Sequence, residues 1–290
     1  MLQFARLTLL TGFIKLLTRR RLSCLPVAPD RIPRVLSIAG SDSGGGAGIQ
    51  ADLKAFARCG VHGMTAITAI TAQNTTGVFA VYPLSPEAIV AQVEAVASDI
   101  GVDAVKIGML GNVETIEAVE RALDLLGDVP VVLDPVMVAE SGAILLEEEA
   151  RASLAGRIVP RATVVTPNLP EARVLAGAPA DLDGEALARA VHGLGPKTVV
   201  VTGGHREEAA DLFFDGGEVV VIAGERHPDG AAHGSGCTHS SALAAHLALG
   251  MGPQDAARRA KAIAAEAVLH GLRDLGAGAG PVDVFGLDRS

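Results

Sequence analysis

The stretch Ala232-His233-Gly234-Ser235-Gly236-Cys237-Thr238, with the alanine-rich run that follows it to Leu247, decides how this chain is interpreted. Two glycines flank a small hydroxyl residue, so the backbone can turn several N–H groups toward one point. The apolar run predicts a helix, and the N-terminus of that helix adds partial positive charge at the same point. The stretch is therefore suited to bind an anion, most often a phosphate.

Two interpretations of Cys237 stay open from these residues alone. At the start of a helix, the positive end of the dipole is expected to lower the pKa of a thiol, which places an ionisable group beside the anion. Alternatively, the stretch is a glycine-rich connector that holds a buried cysteine. The rest of the chain has to decide between them.

The composition is that of a soluble globular enzyme. The chain has 290 residues, and 49% of them are hydrophobic, which is enough for a sizeable core. Its formal net charge of −9 argues against a nucleic-acid partner, because neutralising phosphates needs a basic face. The three cysteines are far apart and odd in number, so we expect no disulfide framework and a cytoplasmic location.

The N-terminal segment differs from the remainder of the chain. Residues 1–33 carry six basic residues against one acidic residue, a net charge of +5. The segment is compatible with an amphipathic, transit-like helix. It is too short to span a bilayer, and Arg6 and Lys15 interrupt its apolar run. We expect a disordered extension, followed by a single domain over residues 34–290 and no contact with a membrane.

From residue 34 onward, short apolar runs alternate with helical patterns. Strands are predicted at 35–39, 65–71, 104–107, 129–133, 163–166 and 198–202, and a hairpin at 212–222. Helices are predicted at 47–58, 86–98, 113–126, 147–155, 169–176, 184–193, 236–249 and 253–273. Continuous Val and Ile runs favour parallel strands that are covered on both faces. The fold class is therefore α/β, with a mainly parallel central sheet and the hairpin at its edge.

Polar residues follow several of these strands, at the sheet edge where α/β proteins bind ligands. The loop Gly40–Asp52 lacks the spacing of a dinucleotide fingerprint and the Lys-Ser/Thr pair of a Walker A loop, so it predicts close approach of a small ligand. Asp52 either points at that ligand or is a solvated helix residue. Gln73 offers an amide that matches the edge of an aminopyrimidine, or it is an ordinary turn residue.

A second group of strand ends offers oxygen ligands. Asp134 and Glu171 suit Mg²⁺, which takes one or two carboxylates together with nucleotide phosphates. Asn168 and Glu171 could equally cap the helix that begins beside them. A zinc site made of His233, Cys237 and His239 is disfavoured, because the spacing is irregular and a fourth ligand is absent.

In this order, the motifs resemble the hydroxymethylpyrimidine/phosphomethylpyrimidine kinase family of thiamine biosynthesis, within the ribokinase-like superfamily. The resemblance covers residues 34–275. It is carried by the segments 39–52, 68–75, 106–110, 134–137, 166–172, 203–205 and 233–238. It implies a three-layer α/β sandwich that uses ATP and Mg²⁺ to phosphorylate 4-amino-5-hydroxymethyl-2-methylpyrimidine and then its monophosphate.

The resemblance also implies a role for individual residues. The γ-phosphate would be bound by Gly234, Ser235 and Gly236, and Cys237 would hold the position that related sugar kinases fill with an aspartate base. The pyrimidine would be bound by Gln73, Asp52, Gly40, Thr71 and Met109. The nucleotide would be bound by Asn168, Thr202, Gly204 and Lys261, and the metal by Asp134 and Glu171.

The sequence departs from the family pattern at some positions, and two other functions stay open. Thr202 stands where relatives often carry a lysine, and residues 1–33 have no counterpart in the family. Relatives imply a homodimer. The nearest rival is a pyridoxal or pyridoxine kinase on the same scaffold, although its substrate has no exocyclic amine to pair with Gln73. A sensor that binds the pyrimidine without catalysis is the rival from another class.

Overall fold

A mainly parallel sheet forms the centre of the computed structural model, which describes residues 31–203, 209–228 and 230–287. Its strands are β1 (Arg34–Asp42), β2 (His62–Asn74), β3 (Gly77–Pro83), β4 (Ala104–Ile107), β5 (Val131–Leu133), β6 (Val164–Val165), β7 (Thr198–Val201), β8 (Asp211–Phe214) and β9 (Val220–Ile222). They lie in the order β3-β2-β1-β4-β5-β6-β7-β8-β9. The six strands from β2 to β7 in this order are parallel, as predicted.

Antiparallel strands close both edges of the sheet. At one edge, β8 and β9 form the predicted hairpin beside β7. At the other edge, β3 pairs antiparallel with β2, and the sequence analysis did not predict this strand.

Helices cover both faces of the sheet. They are α1 (Gly48–Arg58), α2 (Pro86–Asp99), α3 (Val113–Leu123), α4 (Glu148–Ser153), α5 (Leu169–Ala176), α6 (Gly184–His192), α7 (Ser235–Ala248) and α8 (Pro253–Leu269). The core on one face takes in residues of α2 to α6, and the core on the other takes in residues of α1, α7 and α8. The predicted three-layer α/β sandwich is therefore confirmed.

The apolar strand runs reflect burial on both sides. Successive residues of a strand point to opposite faces. In β1, Leu36 belongs to the core beneath α2 and α3, whereas Val35 belongs to the core beneath α1 and α7. Both side chains are fully buried, so the apolar residues of β1 pack into the cores on both faces of the sheet.

Two helices end differently from the prediction. The helix predicted to Ala155 becomes a π-helical turn at Leu154–Ile158, followed by a 3₁₀ turn at Val159–Arg161 that contains Pro160. Proline cannot continue an α-helix, so the chain is released into β6 at this point. Helix α8 ends at Leu269, and Leu272 donates its N–H to the carbonyl oxygen of Pro281 instead.

The described elements all lie in one compact unit that begins at Ile32. The predicted extension over residues 1–33 falls almost wholly outside the described residues, as does Gly204. Within the described part of the chain, no helix is long and apolar enough to cross a membrane. Strands β2 and β4 lie on opposite sides of β1, so the strand order reverses at β1. Ligands of α/β proteins bind at the carboxyl ends of the strands beside such a reversal.

Candidate active site

A cavity of about 460 Å³ lies at the carboxyl ends of the parallel strands. Most of the residues predicted for the site line it: Gly40, Thr71, Gln73, Met109, Asp134, Asn168, Glu171, Thr202, Gly234, Ser235, Gly236, Cys237 and Lys261. They come from the ends of β1, β2 and β4 to β7 and from helices α5, α7 and α8. The sheet therefore brings together groups as far apart in the sequence as Gly40 and Lys261.

The turn before α7 leaves two backbone donors free. The N–H of Ser235 bonds to the carbonyl oxygen of Ala232, and that of Thr238 bonds to Gly234. Within the part of the chain that the structure describes, the N–H groups of Gly236 and Cys237 bond to no protein acceptor. Two free donors at the start of a 14-residue helix form a site for an anionic oxygen.

Close packing against the loop after β1 fixes this turn. Gly234 has φ of +83°, and a Cβ there would lie 1.8 Å from the carbonyl oxygen of Gly46. A Cβ on Gly46 would in turn lie 2.3 Å from Cδ2 of His233. These glycines let the two loops touch, so larger residues would force them apart.

Asp42 organises the loop after β1. Its carboxylate accepts the N–H groups of Gly44, Gly46 and Ala47, and Nε2 of His233 lies 3.2 Å from Oδ2. Burial opposes the charge of Asp42, but the bonds from His233 and the backbone hold its pKa below the ordinary value. Asp42 is therefore an anion that shapes one wall of the cavity.

At the other end of the cavity, β2 and β4 contribute a smaller pocket. Oγ1 of Thr71 lies 2.9 Å from the carbonyl oxygen of Ser41 and 3.2 Å from Oε1 of Gln73. Gly40 leaves room for Met109, because a Cβ at Gly40 would lie 2.5 Å from Cε of Met109. An amide, a hydroxyl and a thioether thus surround one compact space.

A buried carboxyl pair lies between these two ends. Oδ2 of Asp134 accepts the hydroxyl of Ser240, and burial raises the pKa of Asp134 above its ordinary value despite the attraction of Lys106. Burial and then the charge of Asp134 raise the pKa of Glu171 to about 8. Two carboxyl groups that resist ionisation beside one another suit a cation that would neutralise both.

The comparisons decide the family. The model of the phosphomethylpyrimidine kinase family matches residues 42–283. A hydroxymethylpyrimidine/phosphomethylpyrimidine kinase of Rhizobium meliloti (strain 1021) is 50% identical over 256 residues, which cover 86% of this chain and 96% of that protein. The chain belongs to the phosphomethylpyrimidine kinase family.

Solved structures agree with this assignment and widen it. A phosphomethylpyrimidine kinase from Clostridium difficile 630 is 42% identical with a TM-score of 0.72, covering 81% of this chain and 99% of that one. An ADP complex of Bacillus subtilis pyridoxal kinase is 37% identical with a TM-score of 0.81, covering 90% and 100%. The fold of this family is thus shared with pyridoxal kinases.

One residue predicted to bind the pyrimidine lies elsewhere. Asp52 is fully buried beneath the cavity and does not line it. Its carboxylate accepts Nζ of Lys106 at 2.8 and 3.0 Å, together with the hydroxyls of Ser37 and Ser241 at 2.5 and 2.7 Å. Because these donors occupy both of its oxygens, the expectation that Asp52 faces the ligand is corrected: it supports the floor of the site.

Lys106 is the residue that the sequence analysis quoted without a role. Its side chain is fully buried at the cavity floor. Burial opposes its charge, but Asp52, Cys237 and Asp134 together raise the pKa of Lys106 above the ordinary value. The signal for it was a charged residue in the middle of an apolar strand, which requires a buried partner.

The pKa of Cys237 is shifted in the direction opposite to the one that its position at a helix start predicted. Burial raises the pKa of Cys237 to about 12, and the nearby Lys106 only limits that shift. The helix dipole was expected to lower the pKa, but the desolvation of this partly exposed thiol raises it instead. With this pKa the thiol of Cys237 is neutral near pH 7 at the wall of the cavity, and its role in proton transfer stays a prediction.

The residues predicted to bind the nucleotide and the metal form hydrogen bonds with other residues of the protein. Asn168 and Glu171 form a capping box at α5, so the alternative capping role is observed, and both residues also line the cavity. Nζ of Lys261 donates to Oδ1 of Asp211 at 2.7 Å. Among the described residues, no group of three His, Cys, Asp or Glu is placed so that it could hold a metal ion.

Proposed function

We propose that this protein transfers the γ-phosphoryl group of ATP to the hydroxymethyl group of 4-amino-5-hydroxymethyl-2-methylpyrimidine, and then to the resulting monophosphate. The observation that carries the proposal is one continuous cavity with two chemically different ends. The Gln73 end offers an amide and an apolar wall, and the other end offers the free N–H groups of Gly236 and Cys237. The curated relative from Rhizobium meliloti carries this activity in its name.

At the end of the cavity that would hold the phosphoryl acceptor, Gln73 would recognise the pyrimidine by hydrogen bonds. Its amide supplies a donor and an acceptor side by side, which match the exocyclic amine and the adjacent ring nitrogen. Thr71 would hold the amide in place, and Met109 would cover the face of the ring beside Gly40. The hydroxymethyl group would then point along the cavity toward the start of α7.

At the transfer point, the start of α7 would hold the moving phosphoryl group. Phosphoryl transfer depends on in-line positioning and on neutralising charge more than on covalent chemistry. The free N–H groups of Gly236 and Cys237 are preorganised to bind its equatorial oxygens, because the turn that carries them is fixed against Gly46. Ser235 shapes the turn through its bond to Ala232.

Mg²⁺ would be held by Asp134 and Glu171. Both carboxyl groups line the cavity, and the charge of one raises the pKa of the other. This arrangement fits a divalent cation with two protein ligands, water and phosphate oxygens. When bound, the ion supplies charge neutralisation for the bridging oxygens of the nucleotide.

The nucleotide itself would occupy the end lined by Thr202, Asn168 and Lys261. Gly204, also predicted there, lies outside the described residues. The hydroxyl proton of the first acceptor would pass to an oxygen of the transferred phosphoryl group, while the thiol of Cys237 would hydrogen-bond the hydroxyl without ionising. The second acceptor is a phosphate monoester, which is already largely ionised near neutral pH and needs little help from a base.

The same proposal includes a homodimer in the cytoplasm. Ile70 and Tyr82 face each other across the β2–β3 ladder, and both are exposed together with Phe79 and Val81. An apolar surface at a sheet edge favours pairing with a second copy. Light scattering of the wild type and of Tyr82→Glu tests this: a dimer that becomes a monomer supports it, and an unchanged mass contradicts it.

The experiment for the activity measures ADP release by the full chain with Mg-ATP. The substrates are the hydroxymethylpyrimidine, its monophosphate, pyridoxal and hydroxyethylthiazole, with Gln73→Leu as the matched variant. We expect turnover of both pyrimidines and a large rise in KM for them in Gln73→Leu. Turnover of pyridoxal alone would make the pyridoxal kinase the correct function, and binding of the pyrimidine without turnover would indicate a sensor.

A further inference from the structure

Helix α7 carries a buried histidine that the site described so far does not use. His239 is 4% exposed and lies against the cavity. In the described part of the chain, neither of its ring nitrogens has a hydrogen-bond partner. Buried polar groups are nearly always paired, so this one requires an explanation.

The nearest charged group is the carboxylate of Asp211. Nε2 of His239 lies 3.4 Å from Oδ2 of Asp211, and that oxygen also has no hydrogen-bond partner among the described residues. The other oxygen is fully engaged: Oδ1 accepts Nζ of Lys261 at 2.7 Å and the N–H of Gly203 at 2.9 Å. Asp211 therefore connects α7 with α8 and with the end of β7.

Burial and the neighbouring basic side chains act on the ionisation of Asp211 in opposite directions. Burial opposes the charge of Asp211, but His239 and Lys261 together hold its pKa below the ordinary value. Without the imidazole, Oδ2 would be buried with no polar group beside it among the described residues, and the carboxylate would be free to turn away from Lys261. The two atoms need to approach by only a few tenths of an ångström to form a direct hydrogen bond.

We propose that His239 is a positioning residue for the nucleotide, which acts by fixing the Asp211 carboxylate that orients Lys261 toward ATP. The ring nitrogens are enclosed by protein, so His239 acts through Asp211 and does not touch the nucleotide. This inference rests on the proposed placement of ATP beside Lys261.

The same helix supplies a matched control. His246 is also buried in α7, but its Nδ1 lies 2.7 Å from the carbonyl oxygen of Ala242, and its side chain is not part of the cavity wall. A purely structural histidine of α7 is thus available for comparison. Substituting it tests the effect of losing an imidazole from this helix without disturbing Asp211.

The test compares His239→Leu, His239→Gln and His246→Leu in the full chain. It measures kcat, the KM for ATP, the KM for the pyrimidine, and the affinity for a non-hydrolysable ATP analogue by calorimetry. We expect His239→Leu to raise the ATP KM about tenfold, the factor carried by one hydrogen bond to a charged group, with little change in the pyrimidine KM. His239→Gln should restore most of the affinity, because its amide N–H can face Asp211, and His246→Leu should leave the ATP KM unchanged.

Four results overturn the inference. If His239→Leu and His239→Gln are equally impaired, or if both KM values rise together, His239 only fills space. Lys261→Met separates this inference from the placement of ATP. Weaker analogue binding in Lys261→Met with normal binding in His239→Leu overturns the role of His239 alone. Normal binding in both variants overturns the placement of ATP, and the role of His239 with it.

Discussion

Nε2 of His233 lies 3.2 Å from Oδ2 of Asp42, and this contact joins the two glycine-rich segments on which the proposed phosphate site depends. The same carboxylate accepts the N–H groups of Gly44, Gly46 and Ala47. The loop that Asp42 shapes then packs directly against the turn that begins α7. The geometry of the phosphate site is therefore held from the end of β1.

Asp42→Ala should destabilise the protein strongly. The substitution leaves three buried or half-buried N–H groups without their acceptor, so we expect the free energy of unfolding to fall by about 2–4 kcal/mol. Urea denaturation measures the change. Asp124→Ala is the control, because it removes an exposed ion pair with Arg161 and should cost less than about 1 kcal/mol. Equal losses in the two variants would show that Asp42 does not organise the loop.

The raised pKa of Glu171 makes stability depend on pH. Its ordinary pKa is 4.5 and its pKa in the folded protein is about 8, so the unfolded chain releases this proton first as the pH rises. The free energy of unfolding should therefore fall between pH 4.5 and pH 8. Glu171→Gln keeps the capping geometry without the charge and should show a smaller fall in urea denaturation across this range.

Glu94→Gln serves as the control for this pH dependence, because Glu94 is an exposed carboxylate in the middle of α2. It should reproduce the wild-type slope. Added Mg²⁺ should stabilise the wild type most at the upper end of the range, where Glu171 ionises, and Glu171→Gln much less. A Glu171→Gln slope equal to that of the wild type would contradict the account of this pair.

The buried pair of Lys106 and Asp52 gives a third prediction. Lys106→Met leaves the Asp52 carboxylate buried without its cation, and we expect a loss of about 3–5 kcal/mol in the free energy of unfolding. The double variant Lys106→Met/Asp52→Asn removes both charges and should be more stable than Lys106→Met alone. If the double variant is less stable than the single one, the two side chains do not act as a pair.

Cys237→Ala should affect both phosphorylation steps to a similar, small extent. The thiol has a pKa of about 12, so it is neutral at the pH of the assay and removes no proton from the first acceptor. A lost general base would instead slow the first step by about 100-fold or more and spare the second. Separate kcat measurements on the two acceptors decide the matter. Cys59→Ala, at a second free cysteine that does not line the cavity, controls for the loss of a thiol.

The order of strands and helices was largely predictable, because the apolar runs are long and glycine or proline residues end them. Strand β3 was missed because its pattern is that of an exposed edge: Phe79, Val81 and Tyr82 face outward, and no buried run marks it. The turn at Asn74–Gly77, followed by five apolar residues, was the available signal.

The site was predicted less completely, because its geometry depends on partners far apart in sequence. Asp52 was expected either to face the ligand or to be solvated, but its partner Lys106 is 54 residues away, and only the fold shows that the two meet beneath the cavity. Likewise, the position of Cys237 at a helix start indicated a lowered pKa, whereas its burial follows from tertiary packing. The local sequence therefore predicted the position of the candidate site well, but it did not predict which of its side chains are buried or how their pKa values shift.

The most direct test of the proposed phosphate site removes one backbone donor. Gly236→Pro deletes its N–H at the second position of α7, a position that proline already occupies in α5 as Pro170. Gly236→Ala keeps the N–H, and its Cβ would come within 4 Å only of Asp134, at 3.8 Å. The measurement is kcat for the pyrimidine monophosphate in both variants. The account predicts a kcat about 100-fold lower in Gly236→Pro than in Gly236→Ala, at similar thermal stability. Equal kcat values in the two variants would contradict it.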